Sequence, residues 1–270
     1  TVPGIPTTFV AHIIATITRS SLVLDIRDAW PDLLNYSSAW NAAVGFPSFF
    51  ERAVRPGPLQ AISFIVQKLM NRSIRRAELV MTTSSVLASQ FEERFEDQVK
   101  VPRVITIRNV FPPFVQVPNR VQRIPTDELR VIYAGKVGRA QMLGNSLQAA
   151  YLAQLAGVPL SLRVIGSGVA LASVTRLARD LKVNAEFFDL MDPDDLSEQY
   201  RWADTALVHL ADWEPLEATV PSKTFELISA GIHISGVVSG ETAEMLTELE
   251  AGDSVPPSDP QALADLWVDL

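Results

Sequence analysis

The chain has no cysteine and only three histidines, His12, His209 and His233, far apart in its 270 residues. Disulfides and thiolate metal sites are therefore excluded, and no metal site is expected. Long apolar runs are missing too. Stretches such as FVAHIIATI (residues 9–17) reach about half of the roughly 20 residues that a membrane span requires. No segment is expected to cross a bilayer. There is also no basic stripe interleaved with aromatics, which argues against nucleic acid as a partner.

What is present is an ordinary globular composition, 47% apolar and 20% charged, enough for one large domain or two typical ones, of which two fit better. The first residue is Thr1, and the last stretch, ADLWVDL, falls inside a helical pattern without a stop signal, so the chain reads as a fragment. A targeting segment upstream would leave no trace here. Charge is uneven: residues 1–110 hold 12 Lys+Arg against 9 Asp+Glu, and residues 111–270 hold 11 against 22, giving +3 and −11. Such a split either directs the first half toward an anionic partner or only reflects different solvated faces.

Four prolines and no apolar period mark FPPFVQVPNRVQRIPTDE, residues 111–128, as the linker between a half spanning 1–110 and a half spanning 129–270. Before it, SLVLDIRD, ELVMTTS and VPRVITIRN read as strands, with a helix through SVLASQFEERF. After it, LRVIYAG, LSLRVIGSG, AEFFDL, DTALVHL and GIHISGVV are short, apolar on both faces and rich in branched residues, the pattern of buried parallel strands. Helical patterns separate them. The expected fold class is α/β, with two Rossmann-like, doubly wound parallel sheets of which the first is incomplete.

In such sheets ligands gather at the carboxyl ends of strands, beside glycines and helix N-termini. YAGKVGRAQ places Gly135 and Gly138 next to Lys136 and Arg139, which suits a diphosphate or, alternatively, a plain turn with solvated cations. VIGSG ends the next strand with Gly166 and Gly168. In VPSKTFELISAG, Pro221 fits the first helical position, and Ser222 and Lys223 lie in the first turn. Lys223 opposes the helix dipole at a cost of about 0.3–1 kcal/mol unless an anion offsets it. Glu226, on the next turn, can accept both hydroxyls of a ribose diol. The plain alternative pairs Glu226 with Lys223 three residues back.

YAGKVGRAQMLGNSLQAA, LRVIGSG, VPSKTFELISAG and VSGETAEML…VPPSDPQALADL, in that order, resemble the donor half of the retaining glycosyltransferases of family 4, which have the GT-B fold. LVLDIRDAWPDLL and VMTTSSVLASQFEERF resemble the second part of the acceptor half. DIRDAWPD and GRAQ resemble a subgroup of bacterial amino-sugar or fucosamine transferases that build capsule or lipopolysaccharide. The resemblance implies a nucleotide-sugar donor, expected to be UDP-linked, held by residues 129–270. It also implies a saccharide or polyprenyl-linked acceptor held by the first half, transfer with retention, and no metal or other cofactor. The enzyme is then expected in the cytoplasm, either free or peripheral on the inner face of the plasma membrane. Lys136 and Arg139 become the catalytic cations facing the diphosphate, with Gln141 in a slot where the family carries a lysine. Gly135, Gly138, Gly166, Ser222, Lys223 and Glu226 bind the donor. Eight positions before Glu226, where the family has a second glutamate, stands Ala218, so Glu217 beside it is the candidate for the transferred sugar. Arg27 and Asp28 lie on the acceptor side, and Asp28 either orients an acceptor or pairs with Arg27. The family's glycine-rich N-terminal loop is not in this chain. Two other readings are an epimerase of UDP-N-acetylglucosamine with the same fold, which lacks an obvious acid/base pair here, and a two-domain sugar or nucleotide receptor without chemistry.

Residues 59–76, LQAISFIVQKLMNRSIRR, carry Ile62, Ile65, Val66, Leu69 and Met70 at helical spacing, with Lys68, Arg72, Arg75 and Arg76 clustered at the end. This is the pattern of a helix lying on an anionic bilayer and equally that of a core helix with a solvated basic flank.

Overall fold

A computed structural model describes residues 5–36, 60–96, 101–109 and 127–270, so positions 111–126 of the expected linker lie outside the described residues. The chain divides into two units. The first gathers the described residues up to Asn109 together with Trp213–Val220, and the second gathers residues 127–212 and Pro221–Leu270.

In the first unit α1 (Ile5–Thr18) leads to β1 (Val23–Ile26), α2 (Gln60–Arg76) to β2 (Leu79–Thr82), and α3 (Ser85–Phe95) to β3 (Arg103–Thr106). The strands form a parallel sheet in the order β1-β2-β3, with Val23 opposite Leu79 and Leu79 opposite Arg103. The start of α3 is set by Ser84, whose hydroxyl accepts the Leu87 N–H at 3.0 Å and satisfies a donor that every helix start leaves open. Four-residue spacing then puts Leu87, Phe91 and Phe95 on one buried face.

The second unit alternates strictly. Its strands are β4 (Leu129–Ala134), β5 (Leu160–Ile165), β6 (Ala185–Phe188), β7 (Thr205–His209), β8 (His233–Val237) and β9 (Gly252–Val255). Its helices are α4 (Gly144–Leu155), α5 (Leu171–Leu181), α6 (Pro193–Trp202), α7 (Ser222–Ser229), α8 (Glu241–Glu248) and α9 (Pro260–Asp269). All strand pairs are parallel, in the order β6-β5-β4-β7-β8-β9, so the winding reverses between β4 and β7. That reversal is where open sheets of this type leave a crevice beyond the strand ends.

Central strands carry the apolar runs that parallel pairing demands: Val131, Ile132, Ala206 and Ile234 are buried. The run AEFFDL departs from the expected burial. As β6 it forms the edge of the sheet, and Ala185, Phe187 and Phe188 are only half-buried. On one face α4, α5 and α9 close the core around Leu147, Val174 and Trp267. The indole N–H of Trp267 donates to Ser235 Oγ at 3.2 Å, and the Ser235 and Thr205 hydroxyls share a bond of 2.7 Å, so this buried polar set is satisfied internally. Truncating Trp267 to Ala would cost about 3–5 kcal/mol.

Candidate functional site

The site is built where β4, β5 and β7 end. Beyond β4 the loop through Gly135–Arg139 is stitched to the loop beyond β5, backbone to backbone: Gly135 N–H donates to Ile165 O at 2.9 Å, Val137 N–H to Ser167 O at 2.9 Å, and Ala170 N–H to Val137 O at 3.1 Å. The stitching requires a glycine. A Cβ on Gly166 would stand 1.9 Å from the Gly135 carbonyl oxygen, and its φ of +142° lies where side chains are strained. The VIGSG turn therefore fixes the neighbouring loop rather than merely ending a strand.

The chain then locks the loop from below. Tyr133, whose hydroxyl titrates well above its ordinary range because it is buried, donates to the Lys136 carbonyl at 2.7 Å. Gln141 turns back so that its Oε1 accepts the Gly138 N–H at 3.1 Å. The slot where the resemblance implied a second cation thus holds a loop brace, which an uncharged amide can be and a lysine cannot. What the fixed backbone presents is Lys136, exposed, and Arg139, half-buried, with no carboxylate partner for either among the described residues. Arg139 Nε is buried without a hydrogen-bond partner. A buried donor of that kind gains most from an anionic acceptor.

Beyond β7 the chain is tied to the same loop, since Ala211 N–H donates to Ala140 O at 2.7 Å, and Leu210 N–H to Val237 O at 3.0 Å. His209, the last residue of β7, is 2% exposed, and neither ring nitrogen has a hydrogen-bond partner. Burial pushes its pKa down to about 3, with a smaller opposing effect from the Leu210 backbone.

α7 begins one residue later than expected: Pro221 is its cap and Ser222 its first residue. Glu226 is only 7% exposed, on the second turn of α7. Its Oε2 meets Lys223 Nζ at 2.6 Å, and its Oε1 accepts the Tyr200 hydroxyl at 2.8 Å. The pairing with Lys223, weighed as the plain alternative, is therefore present in the ligand-free protein, and it leaves each carboxylate oxygen one further lone pair. Tyr200, on α6, was not foreseen. Burial first, and then the Glu226 charge and hydrogen bond, raise its pKa far above the ordinary tyrosine range, so it stays a donor. Only its spacing, four after Leu196 on an amphipathic helix, marks it as inward-facing.

The remaining candidates belong to the first unit. Just past the end of β1, Arg27 Nε donates to Asp25 Oδ2 at 3.0 Å. Asp25 and Arg27 are two apart, the spacing that puts side chains on one face of an extended chain. The Arg27 carbonyl accepts the Thr83 hydroxyl at 2.9 Å, and the Asp28 carbonyl accepts the Trp30 N–H at 2.6 Å. Glu217 is exposed on a 3-10 turn, Glu214–Ala218, while Ala218, at the position eight before Glu226, is fully buried. Trp213 of this segment stacks on Tyr36 with ring centroids 6.2 Å apart. Among the described residues, no group of three or more His, Asp or Glu side chains could hold a metal ion.

No protein-family model matches the sequence, and no curated protein matches it either. Solved structures do. Sucrose-phosphate synthase from Thermosynechococcus elongatus superposes with a TM-score of 0.64 at 18% identity, over 96% of this chain and 61% of that one. Anabaena HepE, solved in complex with UDP-glucose, gives 0.64 at 15% identity, over 97% and 66%. WaaG, a glycosyltransferase involved in lipopolysaccharide biosynthesis, gives 0.60 at 16%, over 84% and 64%. The chain thus spans between 61% and 66% of the length of these proteins. At such identities the likeness shows the fold, which is that of the GT-B glycosyltransferases, with an α/β unit of three parallel strands and another of six.

Proposed function

We propose that the protein is a glycosyltransferase that moves a hexose or N-acetyl-aminosugar from a UDP-linked donor to a saccharide or polyprenyl-linked acceptor, with retention at the anomeric carbon and without a metal. The observation that carries this reading is the loop Gly135–Arg139, whose braced backbone offers Lys136 and Arg139 without carboxylate partners among the described residues at the reversal of the sheet. A diphosphate supplies the missing anions. As the bond from the anomeric carbon to the phosphate oxygen breaks, charge grows on the departing UDP, and these two cations neutralise it while the acceptor oxygen bonds the same carbon and passes its proton to the departing diphosphate.

Glu226 takes the ribose hydroxyls in this reading, Ser222 and Lys223 add phosphate contacts at the start of α7, and Gly135, Gly138 and Gly166 let the backbone approach. Glu217 faces the transferred sugar, and Arg27 and Asp28 serve the acceptor. Supporting the donor type, HepE is described with UDP-glucose and pneumococcal GtfA with UDP and GlcNAc. On this reading the activity belongs to surface polysaccharide synthesis at the cytoplasmic face of a membrane. Supporting the polysaccharide role, WaaG is named as a glycosyltransferase involved in lipopolysaccharide biosynthesis and WaaB as a lipopolysaccharide outer core galactosyltransferase. The test is calorimetry with UDP in EDTA, followed by incubation with UDP-, GDP- and dTDP-sugars while donor hydrolysis is followed. UDP binding in EDTA and consumption of a UDP-sugar are expected. Binding that depends wholly on Mg²⁺ or Mn²⁺ would remove the metal-free mechanism, and binding without any turnover in the intact protein would favour a receptor.

A further inference from the structure

Tyr200 is the one buried side chain of α6. A helix that only covers a sheet buries leucine or valine at such a place, whereas a tyrosine brings in a hydroxyl that must find a partner. That partner is Glu226 Oε1, 2.8 Å away on α7 and 26 residues further along the chain. Burial first, then the Glu226 charge and hydrogen bond, hold the phenol far above its ordinary pKa, so it remains a donor.

The two partners of Glu226 differ in how firmly they are held. Lys223 sits on a long flexible stem at the start of α7, its side chain 29% exposed, and can turn to water or to an anion. Tyr200 is 4% exposed and rides on a helix that is clamped to the sheet. The clamp is Arg163 of β5. Its Nε donates to Glu186 Oε2, on the facing residue of β6, at 2.9 Å, and its Nη1 donates to Gln199 Oε1 of α6 at 2.9 Å. The same guanidinium lies 3.8 Å from the centre of the Trp202 ring. Gln199 and Trp202 flank Tyr200 on α6. A planar group that bonds two side chains and stacks on a third leaves this helix little freedom to roll or slide.

We propose that Tyr200 is a positioning residue for the nucleotide donor. It holds Glu226 in the direction in which the carboxylate accepts ribose hydroxyls, and it keeps Glu226 there when Lys223 turns to the diphosphate. The inference rests on the donor reading above and adds a residue to it. Without the phenol, carboxylate and ammonium are a pair that moves as one, and Glu226 follows Lys223 toward the phosphates or swings to water. With it, Oε1 stays anchored, with a further lone pair to offer, and only the bond of Oε2 is given up. The ordering of this side chain is then completed on folding and not on binding, which favours affinity.

Calorimetry on the intact protein tests this, with UDP and its 2′,3′-dideoxy analogue against Tyr200→Phe, which keeps the ring and removes only the donor. UDP should lose about three- to tenfold in affinity and the analogue less than about twofold. In turnover of a UDP-sugar the loss should appear in KM, with a smaller change in kcat. Added to Glu226→Gln, the Tyr200→Phe change should weaken UDP clearly less than it does alone, because both remove one interaction. Arg163→Lys keeps the charge but loses the fork and the stacking, and should weaken UDP about two- to threefold with the analogue unchanged. Arg163 does not touch Glu226 and is partly exposed, so this variant carries the test even where Tyr200→Phe does not fold. Equal losses for the two ligands, additive losses with Glu226→Gln, or an unchanged UDP affinity would overturn the proposal and leave Tyr200 a packing residue. If the unaltered protein binds no UDP, or Glu226→Gln weakens both ligands equally, the donor reading has failed and this inference falls with it. A selective effect of Glu226→Gln without one of Tyr200→Phe overturns this inference alone.

Discussion

Replacing Glu226 by Gln separates the ribose role from a purely structural one. In the protein without ligand the carboxylate is 7% exposed and held by Tyr200 at 2.8 Å and by Lys223 at 2.6 Å. An amide oxygen still accepts from Tyr200, but the amide nitrogen meets the Lys223 ammonium as donor to donor. Lys223 is 29% exposed and can turn to water, so the loss of the pair should cost about 1–2 kcal/mol of stability rather than the full price of an unpaired buried charge. Binding is affected differently. A ribose hydroxyl donating to a carboxylate contributes about 1.5–3 kcal/mol, and to a neutral amide about 0.5–1.5, so UDP should lose about tenfold in affinity. A 2′,3′-dideoxy analogue cannot make those bonds. For it the affinity should stay level or rise slightly, because Lys223, freed from Glu226, is available to the diphosphate. Calorimetry of both ligands against both proteins gives a double difference in which the stability loss cancels. If the two ligands lose affinity equally, Glu226 is a structural partner of Lys223 and Tyr200, and the ribose assignment is wrong.

Gly166→Ala forces a Cβ to 1.9 Å from the Gly135 carbonyl at a φ of +142°, and overpacking with backbone strain together should cost about 2–6 kcal/mol. A melting temperature equal to that of the unaltered protein would show that the two loops are not stitched as described. Arg139→Ala should weaken UDP at least tenfold while leaving the weak binding of uridine unchanged, because its buried Nε has only the diphosphate to serve; equal losses in calorimetry would contradict this. For His209 the folded value, about 3, lies below the unfolded value near 6.5, so the unfolded chain binds the extra proton between those values. Its contribution is complete above about pH 6.5 and falls by about 1.4 kcal/mol per unit as pH drops toward 3. Urea midpoints at pH 7.5 and 5.5 should therefore differ less in His209→Leu than in the unaltered protein, and an unchanged difference would refute the assignment.

The parallel sheet was legible because its cause is local: a strand buried on both faces must be apolar at every position, and LRVIYA, LSLRVI and TALVH are close to that. AEFF has the same composition and failed as a buried strand, because an edge is decided by what lies beside it. Arg27 illustrates a signal that was present and not used: extended spacing of two already brings it to Asp25. In α2 the periodic apolar residues fall on two faces, so a list running through Ile62, Ile65, Val66, Leu69 and Met70 mixes an exposed stripe with the buried one. Tyr200 and the Gly166 contact were not legible at all. Each depends on two segments meeting, 26 residues apart for Tyr200 and Glu226, and composition carries no trace of that meeting.

Lys223 was the anomaly of the sequence, a cation in the first turn of a helix, and the ion pair with Glu226 answers it in a way that bears on the proposed function. Left alone, Lys223 opposes the helix dipole, and left alone, a carboxylate buried like that of Glu226 is costly. Each removes the other's penalty, and Tyr200 fixes the carboxylate in the remaining direction. On the proposed function this is a resting state in which the acceptor for a ribose is already desolvated and oriented. A diphosphate arriving at the start of α7 competes with Glu226 for the ammonium. On that proposal, as Lys223 turns toward it, Glu226 Oε2 loses its ionic partner among the described residues, and the ribose hydroxyls become the donors that restore its hydrogen bonds. Phosphate and ribose then reinforce each other through one lysine. A nucleoside without phosphates, or a diphosphate without ribose hydroxyls, obtains only half of that exchange, so the free energies of binding of the two fragments should sum to clearly less than that of UDP.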